Sequence, residues 1–451
     1  MALDRDWLDD EIVINLNEKN IVRRCKTYSV KSSVFTQPAA FTIRLGEPAS
    51  VEGILADNKP GDPFELRLRR QGDSPGLYDL DVPMQTGRLD AVDMPASAGA
   101  EIELRGRDNM AALFDSYFVQ DDSITEATYF DLTAKQLKAV GFDNDASEWL
   151  LTGETGREKA ITNAGGGMRR SGNAPVRMGT TTVETLDYMW AWTPSAEGAS
   201  MQKVKVSVPS APIASPDAQS VEVVTAVGGQ PKTEIKTLKA EVGQQRYQWL
   251  KTQYKRVGLF LWCIPNGQFA LSQPNGSQEP AFRLQRRIRG AVGDNNIKSG
   301  SLKNDTVQRF SHTLVYGRAG GGKGGRGRIV GQYIDQAMAD GGLIKQISYR
   351  EDDVKTQKAA DALAARYAAE ARRQSRTLTY TVAGHSAPSL LRPGERFPFY
   401  VNCCVHVIDQ VFGIDGVFYL SDVEFTRDES GGTQSMLTLM WPEDLVFAEG
   451  S

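Results

Sequence analysis

The chain has 451 residues, 40% hydrophobic, 24% charged and 8% aromatic, with a formal net charge of −4. That composition excludes a disordered chain, supplies material for roughly two to four domains, and excludes a global basic field that would attract nucleic acid. No stretch approaches the roughly 18 apolar residues of a membrane span, and "MALDRDWLDDEIVINLN" carries acidic residues where a secretory leader needs a basic patch, so synthesis in a cytosol is expected.

Residues 1–107 read as short strands with period-two alternation. "EIVINLN" puts Ile12, Ile14 and Leu16 on one face, "FTIRLG" Phe41, Ile43 and Leu45, "FELRLR" Phe64, Leu66 and Leu68, and "EIELRG" Ile102 and Leu104; "LYDLDV" does so less cleanly with Leu77 and Leu80. Turn clusters such as "DNKPGDP" separate them. Strands at this spacing, each with one apolar and one charged face, predict a small barrel or sandwich.

Residues 108–240 read as a mixed, loop-rich middle domain with insertions. "DNMAALFDSYF" and "DLTAKQLKAVG" predict two short helices, the second capped by Asp131 or Thr133 and closed by Gly141. From about Asp145 to Ala240 the pattern loosens around strands such as "KVKVSV" and "VEVVTAV". A small α/β domain follows over 241–298, with a helix in "GQQRYQWLKTQYKRVG" and a hairpin turning at Pro265, Asn266 and Gly267.

Residues 299–451 return to alternation. "DTVQRFSHTLVYG" sets Phe310, His312, Leu314 and Tyr316 on one face. The strongest helix spans 352–374, with Asp352 and Asp353 at its positive end, Arg372 and Arg373 at its negative end, and Leu363 four residues before Tyr367. "TLTYTVAG", "GERFPFYV", "GVFYLSDVEFTRD" and "TQSMLTLMW" complete the strands, the last two parted by a turn at Gly431 and Gly432.

Three motifs could carry chemistry. "VYGRAGGGKGGRGRIVG" nearly spells a phosphate loop: Gly317, Gly322 and Lys323 fit, but Gly324 stands where the magnesium-binding hydroxyl belongs. A mobile basic loop is the stronger reading, with Lys323, Arg326 and Arg328 as candidate contacts to an acidic partner or to a channel. "DNDASEWLLTGE" places Asp143, Asp145, Ser147 and Glu154 at calcium-loop positions, but Glu148 replaces the required glycine. "CCVH" offers Cys403, Cys404 and His406, without the spaced thiols of a structural zinc site. Buried, reduced thiols are expected there and at Cys25 and Cys263. With His312, His385 and His406 the only histidines, no nucleophile–base set and no carboxylate pair stands out. No catalytic residue, metal or cofactor is therefore assigned.

Four blocks resemble the Mu-like baseplate hub proteins of contractile-tailed phages, related more distantly to late control D and contractile-injection hubs. In order they are "ELRGRDNMAALFDS" (Glu103 to Ser116), "SLKNDTVQRFSHTLVYG" (Ser301 to Gly317), "AARYAAEARRQSRTLTYTVAGHS" with "LRPGERFPFYV" (Ala364 to Val401), and "YLSDVEFTRDESGGTQSMLTLMWPEDL" (Tyr419 to Leu445). Leu391 stands where such proteins often show tryptophan. The resemblance implies a mainly β chain with an α+β middle and two tube-type β-barrels, the second interrupted by helix 352–374. It implies a non-enzymatic structural role: a homotrimer adapting a six-fold tail tube to a three-fold spike, with an axial channel through which DNA passes without specific binding. The implied partners are tail tube or tube-initiator, spike and other baseplate proteins; the implied location is the virion tail, after assembly in the host cytoplasm. The alternatives are a hub that degrades cell wall and a nucleotide enzyme using the glycine-rich loop.

Overall fold

The structure, a computed structural model, describes residues 10–16, 19–20, 25–45, 59–71, 78–93, 101–124, 129–142, 150–152, 187–195, 198–206, 238–289, 295–318, 328–351, 354–428 and 432–445. The chain is mainly β. Its first strands are β1 (Asp10–Leu16), β2 (Lys19–Asn20), β3 (Cys25–Ser33), β4 (Ala40–Leu45), β5 (Pro63–Gln71), β6 (Tyr78–Asp93) and β7 (Ile102–Asp108). They pair in the order β3-β4-β7-β6-β5-β1-β2. The alternation is borne out: Ile12, Ile14, Leu16, Phe41, Ile43, Leu45, Phe64, Leu66, Leu68, Leu80 and Leu104 are all buried in one core. Each such side chain withdrawn from water contributes about 1.5–3 kcal/mol. The sheet curls until its ends approach, and the Cys25 thiol on β3 donates to the Ile12 carbonyl on β1.

The middle of the chain holds α1 (Ala111–Phe114), β8 (Asp122–Ile124), α2 (Tyr129–Ala139), β9 (Leu150–Thr152), β10 (Asp187–Ser195), β11 (Gly198–Val206), β12 (Leu238–Ala240), α3 (Arg246–Val257), β13 (Phe260–Cys263) and β14 (Phe269–Ser272). The predicted hairpin is β13 and β14, turning through Gly267 at positive φ, with β9 added in parallel. Helix α2 starts earlier than its expected caps. Thr133 lies inside it, its hydroxyl bonded back to the Tyr129 carbonyl. The expected strand "VEVVTAV" lies outside the described residues.

The rest comprises β15 (Pro280–Arg286), β16 (Ile297–Asn304), β17 (His312–Arg318), β18 (Arg328–Ile334), α4 (Gln336–Asp340), β19 (Gln346–Arg350), α5 (Gln357–Ser375), β20 (Arg376–Ala383), β21 (Ser386–Pro388), β22 (Arg396–Pro398), β23 (Cys403–Asp409), β24 (Ile414–Asp428) and β25 (Gly432–Met440). Six of them pair in the order β16-β20-β25-β24-β23-β15, and their ends approach where Asn296 and Gln285 exchange hydrogen bonds. With the two-residue β2 set aside and strands numbered by position in their own group, each six-stranded unit has the same order, second-third-sixth-fifth-fourth-first. One pairing differs in sense: β1 meets β5 antiparallel, whereas β15 meets β23 in parallel. Strand β24 joins the units into one 13-stranded sheet, because Asp422 to Arg427 pair with β3.

Strands β18-β17-β19 form a separate small sheet between β16 and β20 in sequence, covered by α5. On β17 the buried face carries Thr313 and Val315, not His312, Leu314 and Tyr316. The helix occupies Gln357–Ser375 rather than 352–374. Thr356 caps it by accepting from Ala359 N–H, while Asp352 and Asp353 lie outside the described residues. Leu363 and Tyr367 pack on the small sheet as the spacing predicts.

Candidate functional site

Because side chains alternate along each strand, burying one face of the long sheet presents the other outward across both units. Residue opposite residue, one row reads Ser299, Thr381, Met436, Glu424, Lys31, Ala40 and Arg107, crossing β16, β20, β25, β24, β3, β4 and β7. A neighbouring row reads Ala383, Gln434, Thr426, Ser29, Thr42, Arg105 and Ala91. Hydroxyl, charged and small side chains alternate there, and the charges are matched to one another. Lys31 Nζ lies 3.3 Å from Glu424, Arg44 Nε 2.8 Å from Glu103, and Arg107 reaches Asp90 at 2.7 Å and Asp115 at 2.6 Å; Arg105 pairs with Asp93. The Asp90 and Asp115 carboxylates hold the Arg107 guanidinium above its ordinary pKa. Among the described residues of these two rows, each of the cations Lys31, Arg105 and Arg107 has a carboxylate partner.

Beneath the face, a buried polar network locks the units together. Tyr28 Oη lies 2.7 Å from His385 Nε2, and His385 Nδ1 lies 2.9 Å from Ser435 Oγ, which donates its one proton to the Gly384 carbonyl at 2.7 Å. Ser435 Oγ must then accept from Nδ1–H, leaving Nε2 to accept from Tyr28. Burial lowers the His385 pKa to about 3, so the ring is neutral. Asp10 on β1 accepts from the backbone N–H groups of His385 (2.8 Å) and Ser386 (3.0 Å), and from the Ser386 hydroxyl. Arg396 Nε donates to that hydroxyl at 3.0 Å.

Lys323 and Arg326 lie outside the described residues. Arg328 begins β18, its backbone opposite Arg318 of β17. The glycine stretch therefore joins two antiparallel strands, as expected of a hairpin loop, but in the small sheet rather than in a barrel. A phosphate loop would lead from a parallel strand into a helix. Two of its glycines serve packing: a Cβ on Gly331 would sit 2.1 Å from the Ala360 carbonyl carbon of α5, and one on Gly317 2.6 Å from the Val354 oxygen.

Of the calcium-like motif, Asp143, Asp145, Ser147 and Glu154 lie outside the described residues. The "CCVH" side chains do not converge. Cys403 points into the barrel core, Cys404 into a separate cluster with Tyr419 and Trp262, and His406 Nε2 contacts Asp415 at 3.0 Å. All four cysteines are free and buried, and burial pushes the Cys404 thiol up to about 11. Among the described residues, no group of three or more histidines, cysteines or acids is placed to hold a metal. Sequence reasoning missed the junction: the partners of His385, Tyr28 and Asp10, lie more than 350 residues away in sequence, beyond any local signal.

No protein-family model matches the chain, and no curated protein matches it. Two solved structures match along almost their entire length. The tail protein from Neisseria meningitidis MC58 is 20% identical, with 97% of this chain and 99% of that one covered at a TM-score of 0.62. The 43 kDa tail protein of prophage MuSo2 from Shewanella oneidensis is 15% identical, with 96% and 99% covered at 0.59. The resemblance to phage tail proteins drawn from the sequence is borne out in three dimensions: this chain has the fold of those two tail proteins.

Proposed function

We propose that the protein is a structural component of a contractile phage tail, the baseplate hub. It assembles as a homotrimer that adapts the six-fold tail tube to the three-fold spike and encloses the channel through which DNA leaves. The observation that carries this reading is the duplicated barrel joined through one continuous polar face. Two like units per chain give three copies six-fold character on one side and three-fold character on the other.

The dimensions agree. Eight strands per chain, β16 to β6, contribute to the face, so three chains would supply about 24 strands at about 4.8 Å spacing, a circle roughly 37 Å across at the backbone. That is wide enough to pass a DNA duplex, and paired charges on the wall let it slide. The partners are further copies of the chain, tail tube or tube-initiator protein, the spike and other baseplate proteins. The hub works in the virion tail after assembly in the host cytoplasm. Its work is positional, and it performs no chemical step.

Lys323, Arg326 and Arg328 extend this reading as a basic contact to an acidic partner or to the channel. Replacing all three by alanine should impair hub assembly or DNA delivery, and unchanged assembly and delivery would remove that role. For the hub itself, light scattering of purified protein should give a mass three times the 49.5 kDa of the chain; a monomer at high concentration would count against the proposal.

A further inference from the structure

Helix α5 and the residue that caps it carry four arginines, and their surroundings differ. Arg372 donates to Asp444 and Tyr333, and Arg376 to Asp444 and Glu443. Arg366 and Arg373 make no hydrogen bond and no ion pair among the described residues. Arg366 is 6% exposed, and its Nη1 is fully covered without an acceptor. Arg373 is half-buried, its guanidinium 4.6 Å from the centre of the Phe35 ring.

Seven residues apart, these two arginines lie within about 20° of each other around the helix and about 10 Å apart along it. Their face lies beside the one that carries Leu363 and Tyr367 onto the small sheet. Phe35, under Arg373, packs on Phe260 and Tyr419, so the site stands where the first barrel, the middle of the chain and the second barrel meet. Burial lowers the Arg366 pKa to about 10 and shifts Arg373 in the same direction, and both remain charged at neutral pH. Glu370 and Glu351 favour the Arg366 charge from a distance without bonding it, and Glu351 accepts from Tyr367 Oη instead. The helix dipole accounts for a cation in the last turn, at Arg373, but not for one at mid-helix, at Arg366. A guanidinium withdrawn from water without an acceptor destabilises the chain that carries it. Its planar fork is matched to a carboxylate.

We propose that Arg366 and Arg373 form a receptor for a carboxylate, the aspartate or glutamate side chain of a partner protein that inserts beside Phe35. Half-buried Arg373 is the mouth of the site and Arg366 its floor. A single acidic side chain fits that depth, whereas the phosphates of a duplex stay on its surface. The incoming carboxylate supplies the acceptor that the fold withholds, and it fastens the partner where three parts of the chain meet. The site belongs to the single chain and does not depend on the trimeric reading above.

The test titrates the full chain with the peptide acetyl-tetraglutamate amide in a calorimeter, with the tetraglutamine peptide as control. The acidic peptide is expected to bind the parent at least about tenfold more tightly than it binds Arg366→Met or Arg373→Met, and the glutamine peptide is expected not to bind. Equal binding by parent and variants overturns the site. Inorganic phosphate or a short DNA duplex held as tightly as the peptide, and lost with Arg366, overturns the carboxylate assignment. Glu449 lies outside the described residues; tighter peptide binding by Glu449→Gln than by the parent would put this chain's own acid in the site and overturn the assignment to a partner. Denaturation gives a second readout. Methionine keeps much of arginine's stem without its charge, so Arg366→Met should raise the midpoint of the isolated chain; a lowered midpoint would mean that Arg366 serves the fold, and overturns the proposal.

Discussion

Tyr28 on β3 and His385 beyond β20 meet through a 2.7 Å hydrogen bond, although 357 residues separate them. Both are buried and both touch the strands that fuse the barrels. Tyr28→Phe leaves the Nε2 lone pair without a donor, a loss of about 1–3 kcal/mol. Chemical denaturation should show that loss with the unfolding slope unchanged; no loss would mean that the bond does not fasten the junction.

The pH response contains two opposing buried groups. His385 has its pKa lowered to about 3 by burial, so its contribution is complete above the ordinary value of 6.5 and is lost as pH falls towards 3. Asp108, where β7 leads into α1, is pushed up to about 7 by burial from 3.8, although Ala39 and Met110 N–H groups donate to it. Its contribution is present below 3.8 and is lost as pH rises through 7. Asp108→Asn should therefore gain stability relative to the parent between pH 4 and 7, by up to a few kcal/mol. A pH-independent difference between the two melting curves would contradict this.

Gly331→Ala should be severe. Its Cβ would collide with the backbone of α5 at Ala360, which must move the helix off β18, and a loss above about 2 kcal/mol is expected. Gly324→Ser, by contrast, completes the phosphate-loop spelling on an antiparallel hairpin. It should leave the protein without nucleotide affinity in a titration calorimeter; saturable ATP binding by that variant would reopen the nucleotide reading.

Asp444 ties the chain's end to α5. Buried at 0% exposure, it accepts from Arg372 Nε at 2.9 Å and from Arg376 Nε at 2.6 Å. Asp444→Ala removes the acceptor shared by two partly buried guanidiniums, which keep Tyr333 and Glu443 as partners, and a loss of about 1–3 kcal/mol is expected. The denaturation midpoint should fall accordingly, and a shift below 1 kcal/mol would mean that solvent takes over the pairing.

Much of the fold was legible where one face of a strand or helix is apolar. Ile12, Phe41 and Phe64 announced the first barrel, and Leu363 with Tyr367 the core face of α5. β17 misled because its buried positions are Thr313 and Val315, while larger residues occupy its half-buried face. The cap of α5 was misplaced because Asp352 and Asp353 suit a helix start as well as Thr356 does. The join of the barrels was not legible: Glu424 and Lys31 are ordinary surface residues in sequence, and only the ladder puts them opposite each other. The bulges at Ser421 and Asp90 likewise exist only as register.

Imaging the purified protein by electron microscopy, with class averages viewed along the ring axis, tests the hub reading most directly. Three-fold rings with six barrel-like densities around an open centre are the expected result. Compact single chains without a ring, at concentrations well above those of a stable complex, would contradict it.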